Sequence, residues 1–171
     1  MGIVRNQSIK NSIIFYIGMT IGAINTVLVY PNVFNDQPEH WGLIQILVAY
    51  AFVASTFSQL GVPRIYMRFF PRIQAKGQFL FFGIILSISG FVLTVLAYYL
   101  FKDQLFKYLD ASNLLMDNFY YVVILVFCIS FFELFSSVSR SYLNAVSPVL
   151  LDEVFLKIYS LVYIQFLNYN L

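Results

Sequence analysis

The sequence predicts an all-α fold, a polytopic membrane helix bundle of about five transmembrane helices. Three observations predict it. Of the 171 residues, 60% are hydrophobic and 19% aromatic, and the mean hydropathy is +0.79. Only 11% are charged, where a soluble domain carries roughly 25%, so too few charges are present to cover a water-facing surface. The apolar residues also fall in long continuous runs without period-two alternation, which is the pattern of helices and not of barrel strands. This balance excludes a soluble globular domain, a disordered tail and a nucleic-acid binder, which need polar exteriors or clustered basic charge. The single cysteine, Cys128, excludes an internal disulfide framework and a cysteine-based metal site.

Each span follows from the length a helix needs. About 20 mostly apolar residues cross a ~30 Å hydrocarbon core. The first uncharged run, residues 13–30, ends at Pro31. Arg5 and Lys10 precede it as they would in a signal peptide. The run is longer than a signal core, however, and no small-x-small cleavage site follows, so it reads as a retained helix. The second run covers 41–60, with Gly61 and Pro63 beyond it. The third, 77–101, is the longest, about 37 Å as a helix, enough to span with tilt. The fourth, 119–139, is interrupted only by Glu133. The fifth covers 149–171, with Asp152, Glu153 and Lys157 near its start. It has no flanking loop or basic anchor. The chain is therefore expected to be the amino-terminal part of a longer transporter-like protein, with the missing carboxy-terminal part as its partner.

Orientation follows from Lys and Arg in short loops. The amino tail holds Arg5 and Lys10, and the first loop holds Asp36, Glu39 and His40 without a Lys or Arg. The second loop holds Arg64, Arg68, Arg72 and Lys76. In the third, Lys102 and Lys107 are balanced by Asp103, Asp110 and Asp117; Arg140 follows the fourth helix. Alternation then places 36–40 and 102–118 outside and 64–76 inside, with a cytoplasmic amino terminus. Tyr30, Trp41, Tyr98, Tyr99, Tyr120 and Tyr121 fall near the outer helix ends, where amphipathic rings favour the headgroup level.

Few residues carry chemistry. In residues 61–76 the four cations recur every fourth position, and Pro63 and Pro71 argue that any helix there is broken. Two readings stand: a positive-inside connector whose arginines meet anionic headgroups of membrane lipids, or guanidinium forks that guide a phosphate-bearing lipid into a cavity. Gly18 and Gly22 form a small-xxx-small pattern with Asn25 one turn on, a seam for close helix packing or a polar path. Ionisable groups inside apolar helices are costly and are functional suspects; Glu133 and Lys157 are the two cases, as a structural pair or as an ion-coupling site. They lie twelve residues either side of Ala145, in the turn expected at 144–148, which puts them at one depth. A Glu133–Lys157 contact is expected, shared with Glu153 one turn before Lys157. His40 reads as solvated and Cys128 as a packing residue. No histidine-rich metal set, Gly-rich phosphate loop or Ser/His/Asp arrangement occurs, so no enzyme activity, cofactor or metal site is expected.

The order of these features is familiar. A basic tail leads into KNSIIFYIGMTIGAINTVLVYP, and an outer loop into WGLIQILVAYAFVASTFSQLGVPRIYMRFFP. Through Gly18 and Gly22, Tyr30 and Pro31, Trp41 and Gly42, and the run from Leu60 and Gly61 to Phe69, Phe70 and Pro71, this resembles the start of bacterial polysaccharide-export flippases of the multidrug/oligosaccharidyl-lipid/polysaccharide transporter superfamily. The resemblance extends more loosely through helices four and five. It implies a 12–14-helix protein of two lobes in the cytoplasmic membrane, moving lipid-linked oligosaccharide outward by alternating access. Related peptidoglycan-precursor flippases hold the lipid diphosphate with arginines of their first helices. This chain departs there, since helices one and two have no internal charge; its candidate substrate-binding residues are Arg64, Arg68, Lys157 and Asn25. A drug/cation antiporter of the same superfamily would share the helices and need a carboxylate such as Glu133 in its cavity. A membrane-embedded enzyme would need acid/base groups or metal ligands near an interface, and a non-catalytic assembly subunit would need the chain to be complete.

Overall fold

A computed structural model describes residues 2–33, 38–109 and 113–162, and every regular element among them is helical. Helix α1 covers residues 2–33. It is α-helical over Gly2–Ile24, widens to a π turn over Asn25–Val29, and closes as α-helix over Tyr30–Val33. The predicted stop at Pro31 is thus a widening. A proline inside an α-helix lacks an N–H and strikes the carbonyl four residues back, here that of Val27. Within the π turn the Tyr30 N–H bonds to Asn25 O, five residues back, and the helix continues past the proline. The basic tail is helical as well, so α1 starts well before residue 13.

Helix α2 (Pro38–Ser58) opens with proline at its first position, where the missing N–H costs nothing. Leu60 and Gly61 both turn into the left-handed region, with φ of 48° and 74°, and reverse the chain into α3 (Val62–Phe69). Pro63 sits in the first turn of α3 and Pro71 in the 3-10 turn Phe70–Arg72 that ends it. The expected break is therefore a short helix between two prolines. Helix α4 (Lys76–Leu109) has 34 residues, about 51 Å. It continues eight residues beyond the predicted end and carries Lys102, Asp103 and Lys107, so much of the predicted outer loop is helix. Helix α5 (Asn113–Asn118) and helix α6 (Tyr120–Ser141) follow.

Helix α7 covers residues 146–162: Val146–Leu150, a second π turn Leu151–Phe155, and α-helix beyond it. The Ser147 N–H donates to Asn144 Oδ1, so the chain turns before Val146 and Pro148 lies in the first helical turn. Four helical stretches, Arg5–Val33, Pro38–Ser58, Lys76–Lys107 and Tyr120–Ser141, are long and apolar enough to cross a membrane. The expected fifth span is described only to residue 162; its remainder lies outside the described residues, as do Asp36 and Asp110.

The chain forms two compact units, residues 1–41 with 142–171 and residues 42–141. The second unit is built around Phe119. Its ring meets Tyr50 (5.9 Å), Tyr98 (5.0 Å, stacked) and Phe106 (5.2 Å, edge-on), over a core of Leu47, Ala51, Leu115, Val122 and Val126. A second cluster packs Val62 and Tyr66 of α3 and Phe70 of the following 3-10 turn with Leu134 and Val138 of α6. Small residues set these approaches. Ser55, Ser58, Ser87, Ser130 and Ser137 are fully buried, whereas Phe52, Phe57, Phe81, Phe82 and Leu100 are exposed. Buried serines with many large apolar side chains turned outward is the arrangement of helices packed in hydrocarbon, where small residues let backbones approach.

Candidate functional site

The polar constellation of the chain lies in the first unit, where α1 packs on α7. Gly18 leaves the space: a Cβ there would stand 2.7 Å from the Glu153 carbonyl oxygen and 2.8 Å from its Cβ. One turn on, Gly22 faces the Lys157 side chain, with a Cβ 3.6 Å from Nζ. One further turn on, the Asn25 amide donates through Nδ2 to Lys157 O (3.0 Å) and Ser160 Oγ (3.3 Å). Positions 18, 22 and 25 thus match 153, 157 and 160 in the same order. The two helices run parallel, and Gln7 donating to Leu143 O continues the register toward their starts.

Lys157 Nζ donates to Glu153 Oε2 at 2.6 Å, an ion pair within α7, and to Gly18 O at 3.3 Å across the seam. Both side chains are partly buried. Gly18 is one residue from the middle of the apolar stretch Arg5–Val33, so the pair lies beside the middle of that helix; an unpaired ionised side chain at the centre of a membrane helix costs about 2.5–3.5 kcal/mol. Asn25 is 2% exposed, and its Oδ1 is buried without a hydrogen-bond partner among the described residues. Each helix carries a π turn along the seam, at different heights: Asn25 opens one, beside Ser160, and Glu153 lies inside the other, beside Gly18, where Leu156 N–H bonds to Leu151 O. Such widenings free backbone groups and recur at functional sites.

Of the sequence candidates, Asn25 and Lys157 are brought together. Arg64 and Arg68 are exposed on α3 in the second unit. Glu133 is half-buried on α6, also in the second unit; a Glu133–Lys157 pair would run from one unit to the other. The anticipated share of Glu153 in holding Lys157 is present. Two aspects escape a residue-by-residue reading. Glu153 is expected only beside Lys157, yet its backbone and side chain also face Gly18, and Ser160 carries no signal alone. The repeated spacing of four and three residues in both helices is the pattern that links them.

The second unit holds a different kind of cavity. A groove of about 580 Å³ runs along α2, α4 and α6, lined by residues including Phe57, Gly90, Tyr98, Leu105 and Val126. Among the described residues no Asp, Glu, Lys, Arg or His lines it.

The described residues define a class, an all-helical chain with four helices long and apolar enough to cross a membrane and a charged seam beside the middle of the first. No family model, curated protein or solved structure matches the chain.

Proposed function

We propose that the chain forms part of a flippase that moves lipid-linked oligosaccharide or polysaccharide precursors across the bacterial cytoplasmic membrane by alternating access. The observation that carries this reading is the Glu153–Lys157 pair at mid-depth of α1, between two helices interrupted by π turns. Secondary transporters place substrate and coupling groups near the midplane on discontinuous helices, and membrane ionisable groups mark pathways. In this reading Lys157 and Asn25 face the substrate's phosphate or its path, Glu153 holds the ammonium between cycles, and Glu133 is a further coupling candidate. The amino terminus is cytoplasmic, and α7 is the fifth crossing. A fifth crossing after three intervening spans must run parallel to the first, which is the direction α7 takes beside α1.

Depletion of the protein tests the reading. Lipid-linked oligosaccharide should accumulate, chemically unchanged, on the cytoplasmic face, and Lys157→Ala should reproduce the defect at normal protein level. An unaltered distribution would remove the proposal. One observation favours a second reading: Glu153 is a carboxylate at mid-depth, as a drug/cation antiporter needs. Hypersensitivity to amphipathic cations on depletion, with normal oligosaccharide export, would select that reading.

A further inference from the structure

We propose that the outward face of α3 is a binding site for the phosphate of anionic bilayer phospholipids, held between Arg64 and Arg68. The inference needs only that α2 and α4 cross a membrane and is independent of any transported substrate.

Helix α3 joins two spans and packs against the last two turns of α6, through Leu134 and Val138, and the first turns of α4, through Phe79 and Leu80. It therefore lies at the level where hydrocarbon gives way to headgroups. Residues of a helix advance about 100° each. Val62, Pro63, Tyr66 and Phe70 form its buried side, and Arg64 and Arg68 fall on the opposite side, both exposed. Ile65 and Phe69 flank the arginines on one edge and Met67 on the other, all more than 40% exposed. The helix presents apolar side chains to the acyl boundary with a guanidinium pair between them, which is how interfacial helices sit on a bilayer. Side chains at i and i+4 are neighbours, and two guanidinium forks suit phosphate oxygens.

Among the described residues no acidic side chain neutralises this pair. No Asp or Glu occurs between Glu39 and Asp103, and among the described residues no carboxylate bonds Arg64 or Arg68. Arg68 lies 5.6 Å from the Phe69 ring, which leaves its N–H groups for a ligand. Lys76 lies over the Phe70 ring at 5.2 Å, on the far side of the turn at Pro71. The site is thus the α3 pair, and the other two cations are accessory to it.

The test is lipid retention by the 171-residue chain, measured by native mass spectrometry and by titration in nanodiscs, with phosphatidylglycerol against phosphatidylcholine. The chain should prefer phosphatidylglycerol, and the preference should fall steeply with salt. R64Q/R68Q should weaken phosphatidylglycerol binding by about 30-fold, two charges near a surface contributing about fivefold each, and leave phosphatidylcholine unaffected. R72Q/K76Q should weaken it far less. Equal binding of the two lipids, a salt-independent preference, or an equal loss from both double variants would overturn the proposal. So would loss of a lipid-linked sugar diphosphate in R64Q/R68Q with phosphatidylglycerol binding intact, since the arginines would then belong to a substrate site. The salt titration uses the unaltered chain, so the test holds even if R64Q/R68Q does not fold.

Discussion

The two units solve opposite packing problems. In residues 42–141 the contacts are aromatic rings and buried serines, and the cavity they leave has no charged lining. In the α1–α7 seam, glycines bring backbones together around an ion pair, a buried amide with an unmet acceptor, and two π turns. Apolar interdigitation has one good arrangement and resists displacement. Polar contacts in hydrocarbon are individually modest, averaging about 0.6 kcal/mol, and can be exchanged for others of similar strength. The contrast teaches that the second unit has the character of a scaffold and the seam that of a part able to rearrange.

The comparison breaks most visibly at Phe119, where three rings converge. Phe119→Ala should cost about 3–5 kcal/mol, measured as loss of the folded fraction in a denaturant titration in detergent. A cost below about 1 kcal/mol would mean that the ring cluster is not the scaffold's centre.

The ion pair should be nearly as sensitive. Lys157→Ala leaves the Glu153 carboxylate uncompensated at mid-depth and should cost about 2.5–3.5 kcal/mol, whereas Glu153→Gln, which keeps an acceptor for Lys157, should cost less. The double swap Glu153→Lys with Lys157→Glu should recover much of the loss of either single swap. Recovery by Glu133→Lys with Lys157→Glu instead would restore the longer-range pairing expected from the turn.

The two glycines of the seam separate close approach from mere smallness. Gly18→Ala drives a Cβ against the backbone of Glu153 and should cost about 1–3 kcal/mol. Gly22→Ala makes ordinary contact with the flexible Lys157 side chain and should be within about 0.5 kcal/mol of the parent. Equal effects at both sites would contradict the register of the two helices. A modest change is expected at Asn25. Asn25→Leu removes two hydrogen bonds and one unmet acceptor together, and its net cost should be about 1 kcal/mol, read from the shift in thermal melting.

The helical class and the four membrane-length runs were legible in the amino-acid order, because continuous apolar stretches of that length have few other uses. The broken helix at residues 61–76 was legible too, since proline acts locally through its ring and missing N–H. Helix ends were less so. Pro31 reads as a stop, but a π turn lets the helix pass it, and Lys102 to Lys107 read as loop although charged residues extend a helix readily beyond the hydrocarbon. The candidate site divides the same way. Residue type and spacing single out Gly18, Gly22, Asn25 and Lys157 as unusual within apolar runs, and that required no coordinates. Which groups meet was settled only by tertiary structure. Sequence sets the depth of Lys157 along its helix, but the rotation of each helix about its axis depends on every contact along the seam. The resulting register brings Glu153 onto Gly18 and the Asn25 amide onto Lys157 and Ser160.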